Sequence, residues 1–155
     1  MDYTLTVYFL QKWRDPRLVL DPNSEFGPPG WLDNCSLALS SVVEADIWVP
    51  DVFFVNEKSS FRHTVTMMNT MVRLYPDGNV FYSIRITMKL VCPMQMHKYP
   101  LDEQNCSLIM ESYSHSEDEM TLYLMSNEAL GVNNIDNSIN GLKDLTLQQF
   151  EVCYK

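Results

Sequence analysis

The sequence predicts an all-β fold built as a two-sheet β-sandwich. Three observations support this prediction: polarity alternates along short segments, turn-forming residues separate those segments, and no convincing long helical pattern is present. The chain has 155 residues, of which 46% are hydrophobic and 12% are aromatic. It is therefore predicted to form one domain, residues 1–155, with a hydrophobic core of its own.

The first strand is predicted over residues 3–12, where one face is apolar and the other is mixed. The apolar face carries Tyr3, Leu5, Val7 and Phe9. The mixed face carries Thr4, Thr6, Tyr8, Leu10 and Lys12. Pro16 ends the strand because proline has no backbone N–H for a ladder, and residues 21–30 are predicted as a turn-rich loop.

The clearest pattern is a hairpin in the middle of the chain. Residues 61–75 are predicted as one strand, Pro76-Asp77-Gly78 as the turn, and residues 80–90 as the return strand. One face of the return strand carries Val80, Tyr82, Ile84, Ile86, Met88 and Leu90. The other face carries Phe81, Ser83, Arg85, Thr87 and Lys89. Because this alternation is sustained, it favours a strand over a helix.

Shorter segments complete the predicted sheets. Residues 47–54 are apolar but contain Pro50, which favours an edge strand or a bend. The remaining predictions are strands at residues 107–113 and 145–153, a short apolar segment at residues 120–125, and a long irregular loop at residues 126–144.

Composition and charge exclude several classes of function. The net charge of -9 argues against nucleic acid or an anionic membrane as the main partner, although an acidic surface also serves solubility. The sequence contains no Cys-x2-Cys pair or histidine cluster for a metal, no arrangement typical of a catalytic site, and no glycine-rich phosphate loop. We therefore expect neither an enzyme nor a cofactor or metal site.

The cysteines and glycosylation sequons favour an oxidising, extracellular environment. The four cysteines allow three pairings. Sequons occur at Asn34 and Asn105. A disulfide between Cys92 and Cys106 would close a loop of about 15 residues, worth roughly 3 kcal/mol. No apolar run is long enough to span a bilayer and no signal peptide opens the chain, so the sequence is expected to be an incomplete piece of a secreted or membrane protein.

The loop between Cys92 and Cys106, which contains Tyr99-Pro100-Leu101-Asp102, resembles the signature loop of the Cys-loop receptors, the pentameric ligand-gated ion channels. Further motifs follow in the family order. They are Met1–Phe9, Trp13–Leu18, Trp48-Val-Pro-Asp51, Phe53–Lys58, Arg73–Gly78, Tyr82–Thr87 and Glu111-Ser-Tyr113. The likeness is greatest to GABA-receptor β-type subunits of the anion-selective branch, which also holds glycine and glutamate-gated chloride receptors.

This resemblance implies an extracellular, immunoglobulin-like β-sandwich, here incomplete at both ends, that assembles into homo- or hetero-pentamers at the postsynaptic membrane. A small amine or amino-acid neurotransmitter would bind between neighbouring subunits and open a chloride pore in a channel domain absent from this chain. A soluble or truncated binding protein, or a subunit that assembles without gating, is the alternative.

The resemblance also implies the site residues. Those of the principal face are Phe53, Glu111, Ser112 and Tyr113. Those of the complementary face are Tyr8, Leu10, Arg73, Phe81, Ser83 and Arg85. The Cys92–Cys106 disulfide would hold a coupling loop in which Tyr99, Pro100, Leu101 and Asp102 face the channel domain, with Asp102 as a hydrogen-bonding anchor. Pro100 is often cis in relatives, and Asn34 and Asn105 would be glycosylated.

Three features depart from the family pattern. Leu10 stands where GABA and glutamate-gated relatives usually place an arginine that binds the agonist carboxylate. One explanation is a subunit that contributes the principal face in a heteromer. Ser114 and His115 replace the usual glycine-aromatic pair. Cys35 and Cys153 are not general family positions, and their pairing stays open. The exposed aromatics Tyr8 and Phe81 indicate an interface, unless they pack on each other within one subunit.

Overall fold

A computed structural model describes residues 1–19, 36–39 and 46–124 of the chain. The described part contains strands and two short 3-10 turns, and it has no helix long and apolar enough to cross a membrane. The strands are β1 Asp2–Arg14, β2 Leu37–Leu39, β3 Val52–Phe54, β4 Glu57–Arg62, β5 Thr70–Leu74, β6 Asn79–Val91 and β7 Met110–Ser112. Met1–Ser114 forms one compact unit and His115–Lys155 a second.

The first unit contains two antiparallel sheets. The larger sheet has the strand order β1-β6-β5-β2, and β4 pairs with the other half of β6. The smaller sheet consists of β3 and β7. In the larger sheet, β1 and β6 pair along their whole length, from Asp2 opposite Val91 to Arg14 opposite Asn79. The predicted all-β, two-sheet fold is confirmed.

The core lies between the two sheets and is built on the inner face of β6. Tyr82, Met88 and Leu90 of this strand are fully buried. Phe54 of β3 packs into the same cluster as Met88 and Leu90, and its ring meets Phe9 of β1 edge-on with centroids 5.4 Å apart. Each fully buried side chain of this kind stabilises the fold by roughly 1.5–3 kcal/mol. The alternation in the sequence therefore identified the core face correctly.

The predicted turn at residues 76–78 is also confirmed. Gly78 has φ of 82°, a conformation that costs glycine little and other residues more. Its carbonyl accepts from the backbone N–H of Asp15 at 2.9 Å, so the hairpin turn packs against the end of β1. Asp15 in turn accepts from the Arg17 side chain at 2.7 Å, and this hydrogen bond lowers the pKa of the Asp15 carboxyl.

The prediction of a single strand over residues 61–75 is wrong. β4 ends at Arg62, and β5 begins at Thr70. The Asn69 side chain donates to the carbonyls of Val65 and Met67, which offers this backbone an alternative to the ladder. The segment rejoins β6 at Asn69, whose carbonyl accepts from the amide N–H of Arg85 at 3.0 Å.

The strand predicted over residues 107–113 is shorter than expected. It begins at Met110, because side chains form hydrogen bonds with the backbone that precedes this residue. The carbonyl of Ser107 accepts from the Tyr3 hydroxyl at 2.9 Å and from the Asn56 amide at 2.8 Å. Burial of the Tyr3 hydroxyl raises the pKa of this phenol.

In the second unit, residues 120–124 form no strand, and the amide N–H of Met120 donates to the Ser116 carbonyl in a turn. Several predictions fall outside the described residues: those for residues 21–30, 126–144 and 145–153, for Asn34, and for Cys35 and Cys153.

Candidate functional site

The small sheet carries an aromatic and acidic surface on its outer face, which we call the principal surface: Phe53, Glu111 and Tyr113. Phe53 lies directly opposite Glu111 in the β3–β7 register. The rings of Phe53 and Tyr113 meet edge-on, with centroids 5.9 Å apart and planes at 80°. All three side chains are exposed. A carboxylate beside two accessible rings is suited to bind an organic cation.

Ser112 does not join this surface. It lies opposite Val52, so its side chain is on the other face of β7 from that of Glu111. Its hydroxyl donates to the carboxylate of Asp51 at 2.7 Å. Of the four principal-face residues implied by the resemblance, the structure thus brings together three and gives Ser112 a supporting contact.

Asp51 is the residue that the sequence analysis missed as part of this site. Its carboxylate accepts from the backbone N–H of Ser114 at 2.7 Å and also from the Ser114 hydroxyl. Its own carbonyl accepts from the N–H of Tyr113 at 3.2 Å. Asp51 therefore holds the segment that presents Tyr113. The Trp48-Val-Pro-Asp51 motif was the available signal, but spacing alone does not reveal which backbone a carboxylate will contact.

We expect Asp51→Ala to lower the free energy of unfolding by about 2 kcal/mol, because it leaves the hydrogen-bond donors of Ser112 and Ser114 without this charged acceptor. Urea unfolding monitored by circular dichroism measures the change. The matched control is Asp118→Ala, which removes an exposed carboxylate and should leave the midpoint unchanged. Equal midpoints for the two variants would contradict the structural role of Asp51.

The complementary surface lies on the outer face of the larger sheet. Across β1, β6 and β5, three successive rungs of paired residues share this face. They are Tyr8–Arg85, Leu10–Ser83–Met71 and Lys12–Phe81–Arg73. Side chains that are directly paired across antiparallel strands stand on the same side of the sheet. The structure therefore gathers all six complementary-face residues implied by the resemblance onto one continuous surface.

Arg85 packs against Tyr8 in this surface. The guanidinium carbon lies 5.9 Å from the centre of the Tyr8 ring, within the range of a cation–π contact. Phe81 lies opposite Lys12, four residues along β1 from Tyr8, or roughly 13 Å away along the strand. The alternative in which Tyr8 and Phe81 form a cross-strand pair within one chain is therefore wrong.

The disulfide between Cys92 and Cys106 is present, with a sulfur–sulfur distance of 1.99 Å and a Cα–Cα distance of 5.2 Å. Cys92 is fully buried at the end of β6, and its N–H donates to the carbonyl of Met1 at 3.0 Å. The bridge thus fixes the base of the loop to the first and sixth strands.

Within the loop, the tip is apolar and open to solvent. Tyr99 is 74% and Leu101 90% exposed, and the Tyr99–Pro100 peptide bond is cis. The Gln104 side chain donates to the Asp102 carboxylate and exchanges two hydrogen bonds of 3.1 Å with the Gln95 backbone. The sequon residue Asn105 is exposed.

Within the described ranges, no group of three or more histidine, cysteine, aspartate or glutamate side chains is placed to hold a metal ion. A family model described as the neurotransmitter-gated ion-channel ligand-binding domain matches residues 1–152. Domains of this kind form the extracellular binding portion of oligomeric receptors at the plasma membrane and are not enzymes. The two antiparallel sheets and the bridged loop agree with this match, and the chain belongs to the neurotransmitter-gated ion-channel ligand-binding domain family, that of the Cys-loop receptors.

Proposed function

We propose that this chain is the extracellular neurotransmitter-binding portion of a pentameric ligand-gated chloride channel subunit, similar to GABA-receptor β-type subunits of the postsynaptic membrane. The agonist binds between the principal surface of one subunit and the complementary surface of its neighbour. Binding there biases the equilibrium between closed and open channel states.

The observation that carries this proposal is the principal surface. Phe53 and Tyr113 present exposed aromatic rings 5.9 Å apart beside the carboxylate of Glu111. An ammonium group over such rings gains roughly 0.5–2 kcal/mol per cation–π contact, and the carboxylate adds a charge-assisted hydrogen bond. GABA, glycine and related transmitters all carry this ammonium group.

The bridged loop supports a receptor over a soluble binding protein. Tyr99 and Leu101 at its tip are exposed apolar side chains, which cost free energy in water unless another surface covers them. In the proposed receptor, the channel domain covers this tip. Because Cys92 directly follows β6, the loop is continuous with the strand that carries Arg85 and Ser83, and movement of one can reach the other.

Glu111→Gln is the test of the binding role. We expect the half-maximal GABA concentration to rise about 30-fold, equivalent to about 2 kcal/mol, because glutamine cannot form a charged contact with the ammonium. The measurement is a concentration–response curve in oocytes that express the full-length subunit with its partner subunits. The reversal potential should follow the chloride gradient.

Glu117→Gln is the matched control, because Glu117 is an exposed carboxylate outside the principal surface. It should leave the response unchanged. An unchanged response for Glu111→Gln would show that Glu111 of the principal surface does not bind the agonist. A reversal potential that follows the sodium gradient would exclude a chloride channel.

A further inference from the structure

Both stems of the bridged loop are joined by one side chain from outside the loop. Asn56 lies in the turn between β3 and β4, and its side-chain nitrogen donates to the carbonyls of Val91 at 3.3 Å and Ser107 at 2.8 Å. Its backbone carbonyl accepts in return from the N–H of Val91 at 2.9 Å. Val91 directly precedes Cys92 in the chain, and Ser107 directly follows Cys106. One amide group therefore joins the two stems beside the disulfide.

The same side chain is also bonded to the smaller sheet. The Asn56 side-chain oxygen accepts from the backbone N–H of Ile109 at 3.3 Å, directly before β7 begins. The N–H of Val55, which precedes Asn56 in the turn, donates to the Ile109 carbonyl at 3.0 Å. Asn56 follows Phe53 by three residues, and Glu111 follows Ile109 by two. These hydrogen bonds therefore lie at the end of the two strands that carry the principal surface.

This set of contacts requires an amide at residue 56. Both donors of the Asn56 side chain bond the loop stems, while its acceptor bonds the smaller sheet. Aspartate has nearly the same shape but no donor, so its oxygens would face the carbonyls of Val91 and Ser107. All the partners are backbone groups, so a displacement of β3 or β7 reaches both stems through this amide. The disulfide, in contrast, joins the stems only to each other.

We propose that Asn56 is a positioning residue for channel gating, and that its amide transmits displacement of the principal surface on agonist binding to the bridged loop. Asn56 is not part of the principal surface. Its replacement therefore reduces channel opening by bound agonist, and a higher agonist concentration does not restore that opening. This inference rests on the proposed function, because it needs an agonist on the principal surface and a channel domain in contact with the loop.

The current at saturating GABA separates coupling from binding. In oocytes that express the full-length subunit with its partner subunits, we expect Asn56→Asp to lower the maximal current per surface receptor about tenfold. Antibody labelling counts the surface receptors. Glu111→Gln should instead reach the full maximal current at a higher GABA concentration. Tyr3→Phe is the matched control and should retain the maximal current, because the Tyr3 hydroxyl bonds the same Ser107 carbonyl at 2.9 Å from β1 rather than from the smaller sheet.

Two results would overturn the proposal. One is a full maximal current for Asn56→Asp, and the other is an equal loss of current for Tyr3→Phe, which would indicate that any weakening of the stem has this effect. Asn56→Ala removes the amide without adding a charge. It should lower the maximal current in the same direction, and it replaces the aspartate variant if that variant does not reach the cell surface.

A nuclear magnetic resonance measurement on the chain itself needs no agonist. The amide signal of Gln95 reports on the loop, because its N–H donates to the Gln104 side chain at 3.1 Å. Phe53→Ala alters the principal surface, and it should shift this signal at least about twofold less in the Asn56→Asp background than in the wild-type background. Equal shifts, or no shift in the wild-type background, would refute the link. If GABA opens no channel in the unaltered receptor, the proposed function fails separately, and the amide signal still decides whether Asn56 connects the principal surface to the loop.

Discussion

Replacing Gly78 with valine is expected to lower the free energy of unfolding by about 3 kcal/mol. The left-handed φ of 82° at this position costs other residues roughly 1–2 kcal/mol. In addition, a Cβ here would lie 2.6 Å from the Asp15 carbonyl oxygen and 2.8 Å from a Val19 methyl carbon, so the hairpin turn must move away from the end of β1. Overpacking of this kind typically costs a further 1–3 kcal/mol, about the same again.

Urea unfolding measures this loss, and Gly78→Asn separates its two causes. Asparagine tolerates a positive φ better than valine but still carries a Cβ. We therefore expect the free energy of unfolding of the asparagine variant to lie between that of the valine variant and that of the wild type. A valine variant that unfolds at the wild-type midpoint would show that the turn does not pack against Asp15 as described.

Cys106→Ser is expected to lower the free energy of unfolding by about 3 kcal/mol as well. The bridge closes a loop with a sequence separation of 14, and in the chain-entropy model a loop of about 15 residues is worth about 3 kcal/mol. Cys106 itself is exposed, so serine at this position disturbs no core packing and isolates the effect of the bridge. Denaturant unfolding and a count of free thiols measure the two consequences of the change.

Cys92→Ser is the informative companion variant. Because Cys92 is fully buried, serine there removes the same bridge and also buries a hydroxyl in the core. It should therefore be less stable than Cys106→Ser. If Cys106→Ser retains wild-type stability, the loop is held by its other contacts, among them those of Gln104, and the bridge is dispensable for the fold.

Local patterns predicted the central strands well. The alternation at residues 80–90 correctly separated the buried Tyr82, Met88 and Leu90 from the outer residues Phe81 and Arg85. The turn that contains Gly78 was also predicted correctly. In both cases the deciding physics, side-chain alternation and the conformational freedom of glycine, acts between residues close together in the chain.

The same reasoning failed at three places, and only the last of them involves partners that are distant in sequence. Residues 61–75 have strand-like composition, yet the chain leaves the ladder there and the Asn69 side chain bonds local carbonyls. Ser112 was assigned to the principal surface with Glu111, although consecutive residues of a strand point to opposite faces. The role of Asp51 depends on residues more than sixty positions away, at Ser112 and Ser114.

By itself, the sequence determined that the chain is all-β, which face of β6 is buried, where the hairpin turns, and that its loop resembles the Cys-loop of ligand-gated channels. Only the tertiary structure decided that Phe53, Glu111 and Tyr113 meet on one surface, that Asp51 holds that surface, and that Leu10 and Met71 flank Ser83. The physical reason is that alternation and turns are encoded by near neighbours. The juxtaposition of strands depends instead on the register that the shared core selects.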